Sequence, residues 1–105
     1  MSINGILKEE LANSLRLVKR YDHEIKKLPK GSLIKKNIRG YWYYYLIVRE
    51  KGKVRFEYKG KDVSKEEIQQ YAQAKKMRAK YRELRSKAKK QIRFLERALG
   101  EKKSI

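Results

Sequence analysis

From Leu7 onward the apolar residues recur at alternating steps of four and three: Leu7, Leu11, Val18, Tyr21, Ile25 and Leu28, with Ser14 in the slot between Leu11 and Val18. A seam of this period belongs to a helix that packs on another helix, so the pattern predicts one over residues 6–28. Pro29 closes it, because proline lacks an N–H and disfavours helical geometry in the residue before it.

Beyond Pro29 the period falls to two and the residues become β-branched and aromatic, which predicts three antiparallel strands at 33–37, 41–49 and 53–59. Gly40 and Gly52 mark the turns. Placing each glycine last in a three-residue loop (Ile38, Arg39, Gly40; Glu50, Lys51, Gly52) sets Val48 opposite Val54, Leu46 opposite Phe56 and Tyr44 opposite Tyr58. Trp42, Tyr44, Leu46, Val48, Val54, Phe56, Tyr58 and Ile34 then share a core face. Tyr41, Tyr43, Tyr45 and Ile47 point the other way, among Lys35, Lys53, Arg55, Glu57 and Lys59. A two-residue turn at Lys51 and Gly52 would shift the pairing by one and bring Arg55 and Glu57 beside Trp42, so the longer loop is the expectation.

Ser64 to Glu67 reads S-x-x-E, a capping box, and Val63 can staple onto Ile68. A second helix is therefore expected over 64–99, with a seam through Tyr71, Ala74, Met77, Tyr81, Leu84, Ala88, Ile92, Leu95 and Leu99, and with Gly100 as its stop. The fold class that follows is α+β in one domain: an antiparallel, coiled-coil-like two-helix hairpin with an inserted three-stranded β-meander. At 1.5 Å per residue the first helix spans about 34 Å and the second about 54 Å, so the second should overhang. Its unpartnered end carries Ala88, Ile92, Leu95 and Leu99, an apolar stripe too exposed for a monomer, which predicts a homodimer or another partner there.

Charge changes this picture most. The 105 residues hold 30 Lys and Arg against 12 Asp and Glu, a formal charge of +18. Most of the excess falls on the meander and the second helix. Self-repulsion of that size costs stability in a small domain, and a polyanionic partner, nucleic acid before others, would offset it. No cysteine is present, which excludes disulfides, thiolate metal sites and thiol nucleophiles. No segment has the apolar length of a membrane span, and residues 1–13 lack the apolar region of a leader, so a cytoplasmic protein is expected.

Two groups of residues carry candidate chemistry. The run Lys75, Lys76, Arg78, Lys80, Arg82, Arg85, Lys87, Lys89 and Lys90 is interrupted among acids only by Glu83, too few for i to i+4 pairing, and suits phosphate contact along a backbone. Of these, Lys75, Lys76, Arg78, Arg82, Arg85, Lys89 and Lys90 are the expected nucleic-acid contacts. Lys35, Arg55 and Lys59 of the meander would extend the surface, and Tyr43 and Tyr45 could offer stacking rings. Tyrosine is also a strong strand former, so those rings have a purely structural alternative. His23 stands alone between Asp22 and Glu24, and Ser14, Ser64 and Ser86 have no histidine base at a recognisable spacing. Neither a catalytic set, a metal site nor a cofactor or small-molecule site is expected.

Residues 28–61, LPKGSLIKKNIRGYWYYYLIVREKGKVRFEYKGK, resemble the centre of a family of small uncharacterised prokaryotic proteins, in which LPKGSL, YYYL, GKV and Y-x-GK motifs lie between charged helices. A similar tyrosine-rich meander occurs near the start of some insertion-sequence transposases, a likeness that implies DNA. The resulting expectation is a non-enzymatic, mostly sequence-independent nucleic-acid-binding protein, with DNA favoured over RNA. A protein-interaction or assembly adaptor acting through its coiled coil is the alternative. An interfacial membrane helix is disfavoured because Phe94 is the only bulky aromatic residue late in the second helix.

Overall fold

Ser2 starts the first helix earlier than the apolar seam does. Its hydroxyl accepts the Gly5 N–H at 3.1 Å and its carbonyl accepts the Ile6 N–H at 3.2 Å, the bonds of an N-cap. The computed structural model describes residues 2–100. Its elements are α1 (Ile3–Lys27), β1 (Ser32–Ile38), β2 (Tyr41–Glu50), β3 (Lys53–Gly60) and α2 (Lys65–Leu99), the expected α+β order. α2 is capped as its sequence predicts: Ser64 Oγ accepts the Glu67 N–H at 3.1 Å. It stops at Gly100, whose φ of 67° breaks the helical geometry. Residues 101–105, expected to form a short tail beyond the helix, lie outside the described residues.

The chain divides into two compact units, one of residues 2–27 with 78–100 and the other of residues 28–77. In the helical unit the seam of α1 meets the later part of α2. Leu11, Val18, Ala88, Ile92 and Leu95 are buried together, with Leu7, Leu15, Tyr21 and Leu99 packed against them. Each fully buried Leu or Ile contributes about 1.5–3 kcal/mol. Ser14 is buried in the seam slot that the spacing assigned to it. The rings of Tyr21 and Tyr81 meet tilted by 34°, with centroids 6.1 Å apart, and Arg85 donates to the Asp22 carboxylate at 2.6 Å.

This arrangement corrects one expectation. Ala88, Ile92, Leu95 and Leu99 are not an exposed dimerisation stripe, since the first three are at most 8% exposed inside the chain's own helical core and Leu99 packs against it. The earlier part of α2 belongs to the sheet unit, so the seam of α1 pairs with the later part.

The sheet unit holds the antiparallel meander β1-β2-β3. Both turns have two residues. Ile38 pairs with Tyr41 and Glu50 with Lys53, while Arg39 and Gly40 (φ 54° and 86°) and Lys51 and Gly52 (50° and 77°) all take positive φ. Two such residues form the type I′ turn, whose twist matches that of the flanking strands. The Asn37 side-chain oxygen accepts the Gly40 N–H at 3.0 Å and closes the first turn. The three-residue loops are thereby corrected, and with them the register: Phe56 pairs with Ile47, Tyr58 with Tyr45, Val54 with Arg49 and Arg55 with Val48. A bulge between Tyr44 and Tyr45 leaves Lys59 without a partner in the ladder.

Leu46 and Val48 are buried on the face they share with Leu33 and Tyr44, and Ala74 is buried on α2. Leu33 and Tyr44 line one groove with Ile68, Tyr71 and Ala72, which places the early turns of α2 beside this face. Gly31 opens β1 with φ 98°, and a Cβ there would lie 2.8 Å from the Ile47 carbonyl oxygen, so no other residue suits the position. Lys51 tolerates positive φ at a cost that asparagine largely avoids. Lys51→Asn is expected to raise stability by about 0.5 kcal/mol, read from the denaturant midpoint at unchanged slope.

Candidate nucleic-acid interface

The register decides which side chains stand together on the open side of the sheet. Odd positions of β2 and even positions of β1 and β3 share that side, so Tyr41, Tyr43, Tyr45 and Ile47 are joined by Ile34 and Ile38 and by Val54, Phe56 and Tyr58. Tyr41 is 59% exposed, Phe56 53% and Tyr58 61%. Tyr58 holds the middle: its centroid lies 6.0 Å from that of Tyr43 and 5.5 Å from that of Tyr45, tilted to the first and edge-on to the second. Val54, Phe56 and Tyr58 are therefore corrected from core to surface.

Cations lie directly on these rings. The Lys36 ammonium sits 4.7 Å from the Phe56 centroid and 5.6 Å from that of Tyr45, and Lys61 sits 4.3 Å from Tyr41 and 5.5 Å from Tyr43. No strand position on this side carries Asp or Glu. The acids of the strands, Glu50 and Glu57, fall on the other side, where Arg55 holds Glu57 at 2.8 Å and Glu50 at 3.8 Å. On the strand positions of this side, aromatic rings and the Lys36 ammonium therefore stand together without a carboxylate, and Lys61 joins them from just beyond β3.

The residues singled out from the sequence are thus divided. Tyr43 and Tyr45 are on the open face, partly covered by their neighbours. Lys35 and Arg55 belong to the opposite face, Lys35 with its ammonium 5.3 Å from the Tyr44 ring and Arg55 tied to carboxylates. Lys59 is exposed at the bulge. Lys75 and Lys76 are exposed on the early part of α2, in the sheet unit.

In the helical unit Arg78, Arg82, Arg85 and Lys89 recur at steps of four, three and four, along one stripe beside the buried seam, and Lys90 is exposed on a different side of the helix. Arg85 is engaged by Asp22. Among the described residues Lys75, Lys76, Arg82, Lys89 and Lys90 form no ion pair, whereas Lys87 meets Glu83 at 3.4 Å and Lys27 meets Glu24 at 3.5 Å.

Phe56, Tyr58, Lys36 and Lys61 are additions that the sequence reading placed elsewhere or passed over. The signal for the first two was the alternation Val54, Phe56, Tyr58, which marks a shared face but does not say which one. Among the described residues no cluster of His, Asp and Glu could hold a metal ion, and no helix is long and apolar enough to cross a membrane. Comparison of the chain with protein-family models, curated proteins and solved structures gives no match.

Proposed function

We propose that this is a non-enzymatic nucleic-acid-binding protein whose contacts are mostly with the phosphate backbone and therefore largely independent of sequence, with DNA favoured over RNA. One observation carries the reading: the chain has a formal charge of +18, and both units hold exposed cations that form no ion pair among the described residues. Phosphates would meet Lys75 and Lys76 in the sheet unit and Arg82, Lys89 and Lys90 in the helical unit, with Lys59 and Arg78 adding to the field. Arg85 contributes less, because its guanidinium is already bonded to Asp22. The alternative, an adaptor acting through its coiled coil, would have to use a surface other than Ala88, Ile92 and Leu95, which are buried.

The test is a salt titration. A protein that neutralises about six phosphates should bind duplex DNA with a slope of log K against log salt near −5. Binding that is insensitive to salt, or no binding to duplex, single-stranded DNA or RNA at about 50 mM salt, would end the proposal.

A further inference from the structure

We infer that the open face of the sheet holds a single strand of nucleic acid, with bases stacked on Phe56 and Tyr58 and phosphates drawn to Lys36 and Lys61. The inference rests on the proposed function and names the form of nucleic acid that this face takes. Three observations on the sheet support it. The rings most open to solvent on β3 are the ones that a base can cover: Phe56 and Tyr58 are each more than half exposed, while Tyr43 and Tyr45 support Tyr58 from the side. Neighbouring residues on one face of a strand stand about 7 Å apart, roughly twice the 3.4 Å spacing of stacked bases in a duplex. Adjacent bases lying on those two rings must be unstacked from each other, which a single strand allows and a duplex does not.

The third observation is charge complementarity. Lys36 and Lys61 already lie over rings of this face, Lys36 over Phe56 itself, and no acid stands among the strand residues beside them. An ammonium on a ring is held by the negative face of the π-system. When a base takes that place the ammonium moves aside to the adjoining phosphate, so the lysine that caps the ring in the free protein becomes the contact that neutralises the strand. A protein partner suited to so apolar a field would need acids at its rim as well as its own apolar anchors; a nucleic-acid strand supplies planar apolar bases and anionic phosphates at every repeat.

The experiment is fluorescence anisotropy with a dT oligonucleotide, a U oligonucleotide, a duplex of the same length, and an abasic strand that keeps the phosphates and lacks the bases. Wild-type protein should prefer the single strands to the duplex. Phe56→Ala should weaken the dT strand by about tenfold, Phe56→Tyr should restore it, and neither change should alter binding to the abasic strand. The dT and U arms tell DNA from RNA.

Equal affinity for single strand and duplex, with Phe56→Ala neutral on both, would overturn the inference while leaving the proposed function standing. Failure of every nucleic acid to bind at about 50 mM salt would remove both. A protein that is dimeric by sedimentation without nucleic acid, and monomeric as Phe56→Ala, would likewise overturn it, because the face would then be an interface between copies. Phe56 is half exposed, so these variants should retain the wild-type circular dichroism.

Discussion

Ile92→Glu is expected to unfold the helical unit. Ile92 is 0% exposed and is surrounded by the residues that join α1 to the later part of α2. Glutamate there loses the buried aliphatic side chain and puts a carboxyl group where no donor awaits it, at a cost of at least about 4 kcal/mol. A small domain has only about 5–15 kcal/mol of stability in all. The far-UV circular dichroism of the variant should lose helical signal and its cooperative melt. Ile92→Ala, which removes volume and adds no polar group, should cost about 2–5 kcal/mol and lower the melting temperature by at least about 8 °C. Had the stripe been exposed, both variants would melt like the wild type and differ from it only in mass. A wild-type melt for Ile92→Ala would therefore show that the helical core is not where the structure puts it.

The same residue shows how far the sequence could be read. The seam was legible because period and capping are local: Ser64 and Gly100 mark the limits of α2 as written in the chain, and even the polar Ser14 falls in its seam slot. Which half of α2 the first helix would meet was not local. It depends on the early turns of α2 being taken by the meander, a long-range competition that no spacing records.

The sheet failed at a different level. Every residue of β2 from Tyr41 to Val48 is apolar or aromatic, so neither face of the central strand is excluded from the core and a slip of one residue leaves an apolar face in either register. The decision passed to the turns. There Arg39 and Lys51 adopt a backbone region usually left to glycine or asparagine, since the twist gained by a two-residue turn outweighs the local strain. The consequence reaches the candidate site: one residue of register moves Phe56 and Tyr58 from a presumed core onto the surface and takes Arg55 away from it.

Replacing both Lys36 and Lys61 with glutamine is expected to produce the largest functional loss, in a form distinct from the loss of a ring. Each lysine that neutralises a phosphate of a single strand adds about 0.7 to the magnitude of the log K against log salt slope. Two should add about 1.4, so at about 50 mM salt the double variant should bind the dT strand roughly 65-fold more weakly, and its line should converge with that of the wild type as salt approaches about 1 M. Phe56→Ala removes stacking, which releases no counterions, and should displace the line downward by a similar amount at every salt concentration. The two kinds of contact are thus read from one plot, the lysines in its slope and the rings in its intercept. Stability should change little, because an exposed cation on a ring is worth about 0.5–1 kcal/mol and removing like charge from a strongly basic chain offsets part of that. A double variant with the wild-type slope would mean that Lys36 and Lys61 stay on their rings in the complex, and that the phosphates of any bound strand lie elsewhere.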